Sequence, residues 1–224
     1  MVFLLCVVVS ASADTKVSAM KGDVYVRHNV KEEWVRVAVG DILKPEDSMK
    51  LDKKSSATIL IDGKNKLVIP ELVIIDLSDL RSLTQDELLL KLAMEKVRNV
   101  PAKRDGGGLH IEKITTMHGT NKAETTTPSS IVSQTATLQL NGTRVLYDEG
   151  FYATCVLKTK EIFRQHPEML TVYDVRIMVA GALEKVKLDG EALSEYLSIP
   201  TANLSPKQRS LVEEKIAQLK KHSE

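Results

Sequence analysis

Aromatic residues are scarce in this chain: one Trp, five Tyr and three Phe make up 4% of 224 positions. That scarcity argues against stacking platforms for nucleic-acid bases. Neither sign of charge dominates, with 31 Lys plus Arg against 30 Asp plus Glu, so nothing points to a polyanion partner and no nucleic acid is expected. Only two cysteines occur, Cys6 and Cys155, too few for a disulfide framework. Past the N-terminus no apolar run is long enough to span a bilayer, so no transmembrane segment is expected in the mature chain. Aliphatic residues are plentiful instead. Hydrophobic positions reach 43%, sufficient for packed cores in one or two domains.

The first residues stand apart. "MVFLLCVVVSASA" joins an apolar stretch, Met1 to Val9, to the small-residue site Ala11-Ser12-Ala13. It reads as a secretory signal peptide over residues 1–13, with no Lys or Arg ahead of the apolar stretch. Cleavage after Ala13 removes Cys6 and leaves Cys155 alone, so stability must come from packing. The expected location is the periplasm or the cell surface.

Residues 14–80 alternate with period two. "GDVYVRH" places Val24 and Val26 on one face and Tyr25 and Arg27 on the other. "EWVRVAV" sets Trp34, Arg36 and Ala38 against Val35, Val37 and Val39. "SATILIDGKNKLVIP" predicts a hairpin turning at Asp62-Gly63, and "ELVIID" predicts a further strand. About six short strands with closely spaced turns predict a small antiparallel sandwich or roll. Trp34 is expected to anchor its core. Gly40-Asp41 and Pro45-Glu46-Asp47 carry turn chemistry. Asp41, Glu46, Asp47 and Asp52 lack the ordered spacing of a calcium loop and read as solvated turn carboxylates.

A helix is predicted over 81–99, opened by the capping box Thr84 to Glu87, with Leu88, Leu89, Leu92, Ala93 and Val97 as its apolar stripe. It covers the β unit or bridges to the next domain. Residues 100–134, rich in Gly, Thr, Ser, Lys and Pro, read as a flexible linker. Residues 135–224 are helical throughout, with breaks near Gly150, Pro167, Gly190 and Pro200 and five helices expected. Thr171 with Asp174, and Ser205 with Gln208, read as capping boxes. The expected fold class is α+β and multi-domain.

The β part resembles the FecR domain family over residues 17–76. Gly22-x-Val24-x-Val26-Arg27 runs to Trp34; Val39-Gly40-Asp41-x-Leu43 and Glu46-Asp47-Ser48 come next; "SSATILIDGKNKLVIPE" closes the pattern. The resemblance implies an envelope module that senses or docks. Family members that regulate sigma factors carry a membrane span before the domain, where this chain has the signal peptide.

The helical part resembles tetratricopeptide repeats. Gly150, Tyr152, Cys155 and Pro167 match the second helix of the roughly 34-residue unit. Ala180, Leu183, Ala192 and Tyr196 fit a degenerate second unit, and residues 205–222 would cap the stack. In that register Thr137, Leu140, Arg144, Tyr147, Asp148, Asp174, Ile177, Glu184 and Lys185 face a concave groove. Trp34, Gly40, Gly63, Gly150 and Pro167 are structural positions.

No motif calls for catalysis. His28, His110, His118, His166 and His222 are scattered. Cys155 and His166 lie at opposite ends of one predicted helix, roughly 16 Å apart by helical rise. Walker, Gly-x-Ser-x-Gly and His-Glu-x-x-His patterns are missing. No metal, no cofactor and no enzymatic activity are expected. The sequence points to an exported scaffold that binds an envelope protein or peptide. The alternative is a module for peptidoglycan or another cell-wall polysaccharide, with Tyr25 as its exposed aromatic.

Overall fold

A computed structural model of the chain describes residues 15–29, 31–98 and 128–222. The expected signal peptide and residues 100–127 of the expected linker lie outside them.

Among the described residues eight strands come first: β1 (Thr15–Lys21), β2 (Val24–Arg27), β3 (Val35–Arg36), β4 (Ile42–Leu43), β5 (Ser48–Leu51), β6 (Ser56–Ile61), β7 (Asn65–Ile69) and β8 (Val73–Asp76). They pair antiparallel in two sheets ordered β4-β1-β6-β7 and β3-β2-β5-β8. Alternation drives the assembly. Val17, Ile59 and Leu67 from the first sheet and Val24, Val26, Met49 and Leu51 from the second form one buried cluster. The β6–β7 turn places Asp62 and Gly63 at φ of 53° and 65°, the left-handed region that an Asp-Gly pair supplies at low cost. At Gly40-Asp41 the chain closes on β1: Gly40 N donates to Val17 O, and Val17 N donates to Asp41 O.

Six α-helices come after them among the described residues: α1 (Gln85–Arg98), α2 (Pro128–Asp148), α3 (Tyr152–Gln165), α4 (Tyr173–Lys185), α5 (Asp189–Leu197) and α6 (Pro206–His222). The chain is therefore an α+β mixture, as expected. Thr84 and Glu87 cap α1 reciprocally, and Ser205 and Gln208 do the same for α6. Gly150 ends α2 as the sequence implies: Phe151 N donates to Leu146 O and Gly150 N to Tyr147 O, with φ of 84° at Gly150. Pro167 opens a 3-10 turn (Pro167–Thr171) just beyond α3. Ala180, Leu183, Ala192 and Tyr196 are all buried.

Several expectations are corrected. Trp34 is not a core anchor. It is half-buried on the outer face of the second sheet, where Arg27 and Lys50 lie over its ring. The Val35, Val37, Val39 alternation breaks because β3 ends at Arg36; only Val37 is buried. Asp47 is not a solvated carboxylate. It is 3% exposed, accepts from Lys44 N and meets His28 Nδ1 at 3.1 Å. In the α1 stripe Leu88 and Leu92 are buried, packed in a helical cluster, while Leu89 and Ala93 are exposed. Residues 128–134, expected in the linker, are the first turns of α2. Thr171 does not cap α4; its hydroxyl donates back to Glu168 O. Gly190 lies inside α5, and the break falls at 186–188.

The two halves pack on each other. Val145, Leu146 and Cys155 join the core of the sandwich. Helix α2 lies along edge strand β8, where Asn141 Nδ2 donates to Leu72 O at 2.8 Å.

Candidate functional site

Helices α2, α4, α5 and α6 enclose a groove of about 630 Å³. Tyr147 comes from α2, and Asp174, Ile177, Glu184 and Lys185 come from α4. Helix α6 adds Leu211 and Lys215. Five of the nine expected groove residues thus meet on one surface.

The helices are tied by charged pairs. Arg144 Nη2 donates to Asp174 Oδ2 at 2.6 Å and fixes α2 to α4. Glu184 Oε1 accepts from the Tyr196 hydroxyl at 2.7 Å, and its Oε2 accepts from Lys215 Nζ at 2.9 Å. One carboxylate therefore joins α4, α5 and α6. Burial and the Glu184 carboxylate push the Tyr196 phenol well above its usual range. Tyr147 stacks edge-on against Tyr152, with ring centres 5.3 Å apart. Chemically the groove offers apolar surface from Ile177 and Leu211 between three lysines, Lys185, Lys187 and Lys215, and two engaged carboxylates.

Four expected residues stay out of it. Leu140 is buried with Ile162, Phe163 and Val175. Thr137 and Asp148 are exposed on α2 away from the groove lining. Arg144 takes part only through its bond to Asp174. Leu211 and Lys215 escape sequence reasoning because the repeat register makes the last helix a cap rather than a wall.

A second cleft, of about 750 Å³, opens between the sandwich, α1 and α3. Lys158 sits in it, 2.6 Å from Asp76, 3.8 Å from Asp79 and 3.4 Å from Glu161. Ser48 Oγ donates to the other oxygen of Asp76 at 2.5 Å. Burial opposes ionisation of Asp76, but the Lys158 charge and these hydrogen bonds outweigh it and hold the carboxyl below its ordinary value. Asp79 goes the other way. Burial, aided by Asp76 and Glu161, raises it to about 6 against the pull of Lys158. The group clamps α3 to the end of β8. Sequence reasoning overlooks it, although one signal is present: Lys158 lies between Cys155 and Ile162 on the buried face of α3.

The remaining reactive side chains are occupied. Cys155 is fully buried, and burial pushes its thiol up to about 12. Thr154 Oγ1 donates to Arg81 O at 2.8 Å. His166 Nδ1 lies 3.6 Å from Glu168. His110 and His118 fall outside the described residues. Among the described residues no cluster of three His, Cys, Asp or Glu is placed to hold a metal, and no helix is long and apolar enough to cross a membrane.

No family model, curated protein or solved structure matches this chain.

Proposed function

We propose that this chain is a non-enzymatic interaction protein, exported to the periplasm or cell surface, that binds a partner protein or peptide in the groove between α2, α4 and α6. One observation carries the reading: Tyr147, Asp174, Ile177, Glu184 and Lys185, five of the nine residues that the repeat register assigns to a groove, converge on one concave surface. Supporting it, α2, α4 and α6 supply most of the groove lining and α5 adds Tyr196, while no α3 residue lines it. The resemblances to the FecR domain and to tetratricopeptide repeats favour the same docking role. The buried titratable groups serve packing: Cys155 is sealed in the core, and Lys158 is engaged by three carboxylates.

The test is site-specific photo-crosslinking in envelope preparations. A crosslinker at Ile177 should give one discrete adduct that is lost with Lys215→Glu and Tyr147→Ala. The same group at exposed Lys66 on β7 should give none. An adduct from Lys66 equal to that from Ile177, or one indifferent to both substitutions, rejects the groove.

A further inference from the structure

The outer face of the second sheet carries a cluster that the groove does not use. The Arg27 guanidinium lies 5.1 Å from the centre of the Trp34 ring. Lys50 Nζ lies 5.5 Å from that ring and 4.8 Å from the ring of Tyr25. Cross-strand pairing puts them there, since Tyr25 opposes Lys50 and Arg27 opposes Ser48 in the β2–β5 ladder. Residues 134–139 of α2 pass over this face. The two walls enclose a cleft of about 350 Å³, lined by Arg27, Trp34, Lys50 and Asp52 from the strand side and by Leu138 and Gln139, among others, from the helix. That is the lower end of the roughly 300–1,000 Å³ usual for small-ligand sites.

Two polar atoms belonging to this cleft's residues are buried without a hydrogen-bond partner: Arg27 Nε and Gln139 Oε1. One is a donor and the other an acceptor, and they come from opposite walls. A buried group left unpaired is costly and calls for an explanation. The rest of Arg27 is engaged, with Nη2 donating to Ser48 Oγ at 3.3 Å. Lys50 meets Asp52 at 3.8 Å, the outer limit of an ion pair, and its side chain remains 25% exposed.

We propose that this cleft binds one carboxylate-bearing sugar residue of an acidic polysaccharide. The carboxylate accepts from Lys50 and Arg27. A ring hydroxyl donates to Gln139 Oε1. The apolar C–H face of the sugar packs against the part of Trp34 that lines the cleft. A neutral hexose offers no anion to Arg27, and none to Lys50 beyond its long contact with Asp52. A simple carboxylate leaves Gln139 Oε1 unmet. Small shifts of Arg27 and Gln139 bring both orphaned atoms to the ligand. The site shares only helix α2 with the groove, so neither reading depends on the other.

Trp34 is the chain's one tryptophan, so its fluorescence reports this cleft directly. The full chain is titrated with galacturonate and its short oligomers, with glucose, and with acetate. The expected result is a saturable change with the uronates and none with glucose or acetate at the same millimolar concentrations. Gln139→Met and Lys50→Met should each weaken uronate binding roughly tenfold, the scale of one lost hydrogen bond to a charged or buried partner. Circular dichroism should remain unchanged in both; if Lys50→Met unfolds, Lys50→Gln is the substitute. Equal response to acetate or glucose overturns the proposal. So does a lack of saturation with the uronates, or unchanged affinity in Gln139→Met.

Discussion

Gly142 of α2 rests against the main-chain carbonyl of Ile74 in β8. A Cβ at position 142 would overlap the Ile74 oxygen and stand 3.2 Å from its carbonyl carbon. The missing side chain lets α2 lie on an edge strand that would otherwise invite pairing with a foreign strand. In an isolated helix Gly142→Ala would gain about 1 kcal/mol of propensity. Here the clash decides the sign, and the variant should lose about 1–3 kcal/mol in urea unfolding. A stabilised Ala variant would show that helix and strand do not meet at this point.

The Lys158 cluster predicts an unusual pH profile. Asp79 has a folded value of about 6 against an ordinary 3.8, so its protonated form is favoured by the fold. Its contribution is fully present below the ordinary value and is lost as pH rises through about 6. Asp76 is held low, so its contribution is present above the ordinary carboxylate value and is lost as pH falls. Stability should therefore peak in mild acid. Asp79→Asn should recover about 1–3 kcal/mol near neutral pH and leave the acid limb in place. Thermal unfolding at a series of pH values checks it. A profile identical to that of the unsubstituted chain removes Asp79 from the account.

Removing the cation tests the same cluster from the other side. Lys158→Met leaves Asp76 and Asp79 half-buried without their ion-pair partner, and the cost should be about 3–5 kcal/mol. The double change with Asp76→Asn should restore part of this loss. Denaturant midpoints of the single and double variants measure the coupling, and purely additive costs would contradict a clamp.

Cys155 should be silent in the native state. It exposes no surface and its thiol is raised to about 12, so little thiolate is present or reachable. Its labelling by a maleimide should track the unfolding equilibrium across a urea series, because the residue sits in the core shared by both halves. Rapid labelling without denaturant would mean that α3 opens separately from the sandwich.

What the sequence made legible was local. The Val24–Val26 alternation and the capping boxes at Thr84 and Ser205 depend on neighbours within four residues, and their structures agree with the pattern. Trp34, Asp47 and Lys158 depend on distant chain. Trp34 is placed by Arg27 and Lys50, Asp47 by His28, and Lys158 by Asp76 on the other side of the junction. No local period encodes such partners. The groove was half legible for the same reason. Spacing along α4 names Asp174, Ile177, Glu184 and Lys185, but Leu140 goes with α2 into a separate core with Ile162 and Val175. Alternation marks Tyr25 as the exposed aromatic, yet Lys50 covers its ring, and Trp34 lines the cleft instead.

The misplaced break near Gly190 has a physical cause that makes a prediction. Helix α4 ends with Leu188 N donating to Leu183 O and Lys187 N donating to Glu184 O. This is the arrangement that Gly150 makes at the end of α2, but here Lys187 occupies the left-handed position, at φ of 62°. A side chain in that region costs about 1–2 kcal/mol that glycine avoids. The Gly expected from sequence lies three residues later and serves no cap. Lys187→Gly should therefore stabilise the chain by about 0.5–1 kcal/mol, the strain relieved being partly offset by the freedom glycine adds to the unfolded chain. Gly190→Ala, inside α5 with nothing near its Cβ position, should add a comparable amount through helix propensity. The two sites lie three residues apart at the α4–α5 corner, so urea midpoints of the double variant measure how strongly they couple. A loss of stability in Lys187→Gly would mean that its side chain, rather than its backbone, holds the α4–α5 corner.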